Sequence, residues 1–243
     1  MNAGSDVRAE FADPAGNLAF DEALLRVGPP APVLWLWRNP VCVVLGRGQK
    51  AAREVRVPDC VRDGVPVLRR ASGGGTVFHD PGNLNVTLVL PGPADRPLEM
   101  LGRVMSAAVE KLGLPPILGE RGLFVGTRKL CGFAVFRAKG GLLAHSTLLV
   151  DTDPSRVGAY LTGPPPDPKP LDSHRSPVAS LADHGLAFGA GEVESVVRAA
   201  AASLLGPLEP RAASPAELER QQTLLYTRYH YDAWHADGRQ RQP

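Results

Sequence analysis

The stretch RRASGGGTVFHDPGNLNVTLVLP, Arg69 to Pro91, decides the fold because three predicted strands meet in it. Three consecutive glycines, Gly73–Gly75, separate the strand pattern VPVLRR from TVFHD, and the turn Pro81-Gly82-Asn83 leads into LNVTLVLP. Glycine adopts positive φ without steric cost, so one interpretation is a bulged turn between strands. The bare backbone also permits close approach of a phosphate or carboxylate. The glycines alone leave both interpretations open.

The residues beside the glycines suit an anion. Arg69 and Arg70 would supply charge and Ser72 a hydroxyl. The pattern GxxxxGK[ST] is absent, and GGGTVF does not open a helix after a strand, so neither a P-loop nor a dinucleotide fingerprint applies.

Outside this stretch, four further patterns indicate strands and helices. NLAFDEALLRV predicts a first helix capped by Asn17, and PVLWLWRNPVCVVLGRGQ predicts a hairpin that turns at Arg38-Asn39-Pro40. PLEMLGRVMSAAVEKLGL predicts an amphipathic helix, ended by Gly113, that lies across the sheet. LFVGTRKLCGFAVFRAKGGLLAHSTLLVD predicts three antiparallel strands broken at Gly126-Thr127 and Gly140-Gly141.

Together these elements predict an α+β fold with mostly antiparallel sheets and helices on one side of them. The proline-rich segment TGPPPDPKP predicts an irregular loop that connects or covers something. A last helix with an aromatic tail is predicted from PAELERQQTLLYTRYHYDAWH. We expect a single domain over residues 1–243 with no C-terminal accessory domain.

Composition excludes several classes of protein. Hydrophobic residues are 44% and charged residues 21% of the 243, which is typical of globular proteins. No segment has the length and hydropathy of a signal peptide or a membrane span, and a net charge of +2 is too small for a nucleic-acid footprint. Three scattered cysteines suggest neither zinc nor a disulfide framework. We expect a cytoplasmic protein that binds neither nucleic acid nor membrane.

Lys129, one of five lysines, is the most informative charged residue. Strand alternation in GTRKLCGFAVF places it on one face with Cys131 and Phe133. A solvated lysine and an anion clamp both fit this position. His79 and His145 lie in strand patterns, but no HExxH spacing indicates a metal and no GxSxG indicates a Ser-His-Asp hydrolase.

The ordered series RRASGGGTVFHDPGNLN, RKLCGFAVF, HSTLLVD and SHRSPVASL resembles the lipoate-protein ligase A family, relatives of biotin ligases and octanoyltransferases. NLAFDEALL, WLWRNPVCVVLGRGQ and RYHYDAWH extend this resemblance over nearly the whole chain. The resemblance implies a biotin/lipoate ligase-like catalytic domain. It also implies activation of lipoate or octanoate as an acyl adenylate, with ATP and Mg²⁺.

The resemblance further implies an acceptor and a set of site residues. The acyl group would pass to a lysine on the lipoyl domain of a 2-oxoacid dehydrogenase E2 or on the glycine cleavage H protein, with a separate accessory protein as a further partner. Lys129 would stabilise the charge that develops as the acyl group leaves AMP. The residues that would bind substrate or adenylate are Arg70, Ser72, Gly73, Gly74, Gly75, His79, Asn83, Cys131 and His145.

Departures from the family pattern keep two alternatives open. Arg121 and Gly122 stand where an acidic or Asn-Asp pair is common, which affects nucleotide or magnesium binding. CGF, Cys131–Phe133, stands where small serines are more usual, and HST, His145–Thr147, stands where HGT is more usual. Both replacements affect the choice of acyl chain. One alternative is an ATP-independent acyltransferase that forms a thioester on Cys131. The other is a non-catalytic protein that binds an acyl adenylate.

Overall fold

A computed structural model describes residues 3–92, 97–189 and 191–242, which form two sheets. Eight strands in these ranges form the larger sheet, in the order β11-β1-β2-β6-β10-β9-β8-β7, and three form the smaller one, in the order β4-β3-β5. The strands are β1 Gly4–Arg8, β2 Val33–Trp37, β3 Cys42–Leu45, β4 Val67–Arg69, β5 Val77–His79, β6 Asn83–Pro91, β7 Ile117–Gly119, β8 Gly122–Val125, β9 Arg128–Ala138, β10 Gly141–Leu149 and β11 Leu208–Ala212.

Eight α-helices accompany these sheets in the described ranges. They are α1 Pro14–Arg26, α2 Ala51–Glu54, α3 Val57–Arg62, α4 Pro97–Lys111, α5 Pro154–Tyr160, α6 Glu192–Leu205, α7 Pro215–Leu224 and α8 Asp232–Asp237. A 3-10 turn spans Ala182–His184 and a π-helical turn Leu225–Tyr229. No helix in the described part of the chain is both long and apolar enough to cross a membrane.

The larger sheet is mainly antiparallel, which confirms the predicted α+β class. Every pair from β2 through β6, β10, β9 and β8 to β7 is antiparallel, and only β1 runs parallel to its neighbours β2 and β11. The three strands predicted from Leu123 to Asp151 form β8, β9 and β10, with Gly126 and Gly140 both at positive φ between them. Helix α4 packs across β8, β9 and β10, as predicted.

The prediction that helices lie on one side of the sheet is wrong. One apolar cluster joins the sheet to α4 and α6 and includes Leu101, Val104 and Val197. A second joins the opposite face to α1 and to the segment after α7, and includes Phe20 and Tyr229. Both faces are covered because successive side chains of the central strands point to opposite faces, and both faces carry apolar residues.

Two local predictions near the N-terminus are also wrong. Helix α1 begins at Pro14 and is capped by Asp13, whose carboxylate accepts from the Ala15 amide at 3.0 Å. Asn17 is instead buried within the helix and donates to Asn39 Oδ1 at 2.9 Å. Asn39 lies between β2 and β3, which do not form the predicted hairpin, because each strand pairs in a different sheet.

Candidate active site

A cavity of about 700 Å³ is lined by residues of both sheets. Seven of the predicted site residues line it together with Lys129: Arg70, Gly73, Gly74, Gly75, His79, Cys131 and His145. Ser72 and Asn83 are fully buried and connect to the cavity wall through hydrogen bonds to His145 and Asn85. The structure therefore brings together residues that are separated by up to 75 positions in the sequence.

The floor of the cavity is one row of residues across four strands of the larger sheet. Trp37 on β2 pairs with Asn85 on β6, Asn85 pairs with Thr147 on β10, and Thr147 pairs with Gly132 on β9. Paired residues point to the same face of a sheet, so these four positions form a continuous surface. All four line the cavity.

The glycine loop forms one wall. Gly74 has φ +84, a conformation that residues with a side chain rarely adopt. A Cβ placed on Gly46 would lie 2.0 Å from the carbonyl oxygen of Gly74, so the GRG segment after β3 also requires glycine at that position. No acceptor among the described residues bonds the amides of Gly73, Gly74 and Gly75. The glycines therefore make a tight turn and leave backbone donors free, while the approach of a phosphate or carboxylate to them stays a prediction.

Arg70 supports this loop from behind. Its Nη2 donates to the carbonyl oxygens of Gly73 at 2.5 Å and Gly75 at 2.8 Å, and its Nε donates to Ser72 Oγ at 2.8 Å. Burial lowers the pKa of Arg70 to about 10, so the group stays charged at neutral pH. Most of its donors are committed to the protein, and its contact with adenylate remains a prediction.

Arg69 faces away from the cavity, contrary to the expectation that it supplies charge to a ligand. It is 1% exposed, and its guanidinium donates only to backbone carbonyl oxygens, among them those of Gly46, Gln49 and Trp234. Trp234 returns a hydrogen bond from its indole nitrogen to the Arg69 carbonyl oxygen at 2.7 Å. Arg69 thus ties the C-terminal aromatic segment to the loop after β3.

Three residues from distant segments form a hydrogen-bonded chain at the base of the glycine loop. His145 Nε2 lies 2.7 Å from Ser72 Oγ, and His145 Nδ1 lies 2.8 Å from Asp21 Oδ2. This is the connectivity of a Ser-His-Asp triad, which the sequence did not indicate because no local motif joins the three residues. Ser72 is 1% exposed and does not line the cavity, so a hydrolytic nucleophile is not supported.

The hydrogen-bonded series of residues continues beneath the floor of the cavity. Thr87 Oγ1 donates to Asp21 Oδ1 at 2.5 Å, and Trp37 Nε1 donates to Thr87 Oγ1 at 3.0 Å. Asp21 therefore accepts at both of its carboxylate oxygens, one facing Thr87 and the other facing His145. Sequence reasoning missed Asp21, Thr87 and Trp37, and all three are buried.

A bulge in β9 separates Lys129 from Cys131. Leu123 pairs with Cys131 but Phe124 pairs with Lys129, so Leu130 is skipped and the alternation changes phase at that residue. Cys131 belongs with Leu123 to the apolar cluster beneath α4. Lys129 Nζ lies 5.9 Å from the centre of the Phe124 ring, which lines the cavity. The expectation that Lys129 and Cys131 share one face is therefore wrong.

The surroundings of Lys129 explain the glycine at position 122. A Cβ on Gly122 would lie 2.4 Å from Lys129 Cε and 3.1 Å from Nζ, so the lysine side chain occupies the space that a side chain at 122 would need. The Lys129 amide also donates to the Pro177 carbonyl oxygen at 2.8 Å, which fixes the strand against the SHRSPVASL segment. Burial lowers the pKa of Lys129 from its ordinary value, as does the charge of Arg121.

The environment of Cys131 suppresses its reactivity. Burial raises the pKa of its thiol to about 12, and the nearby Ser146 hydroxyl and the charge of Lys129 oppose this only weakly. The thiolate, which is the nucleophilic form, is therefore scarce at neutral pH.

The inner wall of the cavity contains an unusual polar group. Asn39 Nδ2 lies 3.0 Å from His79 Nδ1, and because Asn39 Oδ1 already accepts from Asn17, the amide is the donor and His79 Nδ1 the acceptor. The proton of neutral His79 is then on Nε2, which has no partner among the described residues. Burial lowers the pKa of His79 to about 3, so this residue is a neutral donor.

The segment that follows the proline-rich loop closes the cavity from above. Ser173 Oγ accepts from the Thr76 amide and from Gln49 Nε2, both at 2.8 Å. Arg53 holds Asp172 through two hydrogen bonds of 3.0 and 2.6 Å. This segment is thereby attached directly to the end of the glycine loop, in agreement with the prediction that the proline-rich region connects or covers something.

The residues present do not fit a magnesium ion held by the protein. Magnesium is bound through carboxylates together with substrate phosphates. No group of three or more His, Cys, Asp or Glu side chains occurs in the described part of the chain that would hold a metal. Glu120 at the rim is exposed and lies 3.6 Å from Arg121, and Asp172 is engaged by Arg53.

Comparison with known proteins places the chain in a family. The family model for the lipoyl protein ligase A/B catalytic domain matches residues 13–202. A putative lipoate-protein ligase A of Aeropyrum pernix is 36% identical over 149 residues, which are 59% of this chain and 56% of that protein. The chain spans about half the length of the curated relatives it matches.

Two solved structures share the fold. The lipoate-protein ligase A structure bound with ATP has a TM-score of 0.88 and 24% identity, covering 98% of this chain and 100% of that chain. The second structure is the bipartite lipoate protein ligase of Thermoplasma acidophilum, from an archaeal lipoylation system that includes its E2 lipoyl domain. It has a TM-score of 0.88 and 26% identity, covering 100% of this chain and 99% of that chain. These similarities confirm the resemblance drawn from the motifs: the chain belongs to the lipoyl protein ligase A/B catalytic domain family.

Proposed function

We propose that this protein is an ATP-dependent ligase that activates lipoate or octanoate as an acyl adenylate and transfers the acyl group to a lysine of a lipoyl domain. The observation that carries the proposal is the convergence of Lys129 with the free amides of Gly73–Gly75 on one cavity. A cation and several backbone donors around one space suit a phosphate ester and the carbonyl group attached to it.

Each part of the cavity has a role in this proposal. The glycine amides and Lys129 contact the adenylate phosphate and the acyl carbonyl, and stabilise charge as the acyl group leaves AMP. The acyl chain extends over the floor formed by Trp37, Asn85 and Thr147 toward His79. The segment from Asp172 to Ser176 lies over the nucleotide and excludes water.

The acceptor would be the lipoyl domain of a 2-oxoacid dehydrogenase E2 or the glycine cleavage H protein. The relative from T. acidophilum is named as a bipartite ligase of a system with an E2 lipoyl domain, which supports this class of acceptor and a separate accessory protein. Magnesium would enter with the nucleotide, because the described carboxylates provide no cluster to hold it.

The thioester alternative is weaker because Cys131 is 1% exposed and its pKa is raised to about 12. The decisive experiment is the intact mass of a purified lipoyl domain after incubation with this protein, lipoate and ATP. We expect a mass increase of one lipoyl group that requires ATP and disappears with Lys129→Ala. Acyl transfer from an acyl carrier protein without ATP would contradict the ligase. Binding of an acyl adenylate without any transfer would identify a binding protein.

A further inference from the structure

A short turn joins β7 to β8 at the rim of the cavity and carries a cation. Gly119 pairs with Gly122 at the ends of these two strands, so Glu120 and Arg121 form the turn between them. The carbonyl oxygen of Arg121 accepts from the Phe133 amide at 3.0 Å, which attaches the turn to β9. Both turn residues line the cavity. The backbone is therefore held against the sheet, while the Arg121 side chain stays mostly exposed.

Arg121 differs from the other arginines that line the cavity in the described part of the chain. Arg70 donates to the glycine loop, and Arg175 donates to Glu54 at 2.7 Å and to the Thr76 carbonyl oxygen at 3.0 Å. The guanidinium of Arg121 donates no hydrogen bond to any described residue. All of its donors are therefore free to bind a ligand.

The Lys129 ammonium lies beside this turn. A Cβ on Gly122 would be 3.1 Å from Lys129 Nζ, so the lysine side chain reaches the residue next to Arg121. Burial lowers the pKa of Lys129, and the charge of Arg121 lowers it further, which is the effect of a nearby cation. The ammonium has no hydrogen bond or ion pair among the described residues. Two like charges placed in this way repel each other, and an anion bound between them would relieve the repulsion.

The carboxylates that line the cavity do not neutralise these two cations. Glu120 Oε1 lies 3.6 Å from Arg121 Nε, which is longer than a hydrogen bond, and the Glu120 side chain is 87% exposed. Asp172, the other lining carboxylate in the described ranges, is already held in an ion pair. A side chain at Gly122 would compete with Lys129 for the same space. This part of the cavity therefore has excess positive charge and no paired carboxylates for a divalent cation.

We propose that Arg121 binds the β- and γ-phosphates of ATP and supplies neutralising charge that a magnesium ion held by the protein would otherwise provide. This inference rests on the proposed function, which places the α-phosphate between Lys129 and the amides of Gly73–Gly75. The other two phosphates extend from there toward the turn at the rim. A guanidinium suits them because it donates two parallel hydrogen bonds to phosphate oxygens and always stays charged.

Arg121→Gln tests the assignment, because it removes the charge from an exposed turn and leaves the packing of the core unchanged. Calorimetry with two ligands locates the contact, since a non-hydrolysable acyl-adenylate analogue has the α-phosphate but lacks the other two. The affinity for ATP should fall about 10- to 100-fold, while the affinity for the analogue should change less than about twofold. Arg121→Lys should recover part of the loss for ATP, because it restores the charge without the guanidinium. Equal losses for both ligands, or no loss for ATP, would overturn the proposal.

Calorimetry of ATP in EDTA and in magnesium buffer tests the neutralising role. The wild type should bind ATP in EDTA within about tenfold of its affinity with magnesium, because Arg121 and Lys129 offset the phosphate charge. Arg121→Gln should lose more affinity in EDTA than in magnesium buffer, since the ion carried by the nucleotide then provides neutralisation that the protein lacks. Wild-type binding that occurs only with magnesium, or binding of Mn²⁺ to the protein without nucleotide, would contradict this role.

Arg128→Gln is the matched control. Arg128 is exposed and adjacent to Lys129 at the start of β9, but it does not line the cavity. It should leave both affinities unchanged, and a loss for ATP equal to that of Arg121→Gln would show only an effect of net charge and overturn the assignment. Glu120→Gln should not weaken ATP binding in either buffer. A loss confined to magnesium buffer would show instead that Glu120 holds the metal. If the wild type binds neither ATP nor the analogue in either buffer, the proposed function itself fails.

Discussion

Replacement of Cys131 by serine separates the ligase from a thioester transferase. The thiol is buried beneath α4, and its pKa is raised to about 12. At pH 7 the thiolate fraction is then about 10⁻⁵, so forming the nucleophile costs about 7 kcal/mol before any chemistry begins. A ligase does not use this thiol, and we expect Cys131→Ser to retain ATP-dependent transfer within about threefold of wild type.

The effect of this substitution on stability should be small. Serine is slightly smaller than cysteine, and a buried hydroxyl without a partner costs about 1–3 kcal/mol. Ser146 neighbours Cys131 and offers such a partner. We therefore expect a loss of about 1 kcal/mol, which for a chain of this length lowers the melting temperature by about 2–4 °C.

The assay measures acyl transfer to a lipoyl domain with ATP, in parallel with the mass of the enzyme after incubation with an octanoyl carrier protein and no ATP. Cys60→Ser is the control, because Cys60 is equally buried but belongs to the separate cluster beside β3. A loss of more than 100-fold for Cys131→Ser alone, at a similar melting temperature, would refute the reasoning. An octanoyl adduct on Cys131 without ATP would do the same.

Three further predictions concern the walls of the cavity. Lys129→Ala should lower transfer by about 100- to 1000-fold in steady-state assays while the melting temperature stays near wild type; near-normal rates would remove Lys129 from the mechanism. Gly74→Val should abolish calorimetric binding of an acyl-adenylate analogue, because φ +84 disfavours a β-branched residue and the valine Cβ would lie 3.2 Å from Arg70 Nη2. Arg53→Ala should free Asp172 and raise the KM for ATP more than it lowers kcat; an unchanged KM would show that the segment above the cavity is held without this pair.

Sequence patterns predicted the elements whose determinants are local. The strands from β8 to β10 followed from apolar runs separated by glycines, and Gly126 and Gly140 do take positive φ. The helix α4 followed from its amphipathic spacing. These predictions succeeded because turn geometry and helix periodicity depend on neighbouring residues.

The wrong predictions depended on contacts between distant residues. The expected hairpin failed because β2 pairs with β6, about fifty residues away, rather than with β3. The face assigned to Lys129 failed because the bulge at Leu130 is set by pairing with β8. The network of Asp21, Ser72 and His145 combines three segments that share no motif, so residue spacing carried no signal for it.

One signal in the sequence did point to the network and lies in β6. This strand is continuously buried from Asn83 to Val89, yet it alternates apolar residues with Asn83, Asn85 and Thr87. Its apolar face packs under α4, while the polar face turns toward the cavity and toward Asp21. Burial of polar side chains without partners is costly, so a buried strand with one polar face must meet partners from other segments or a ligand. Such a polar face marks the position of a site in the fold even where no motif identifies its chemistry.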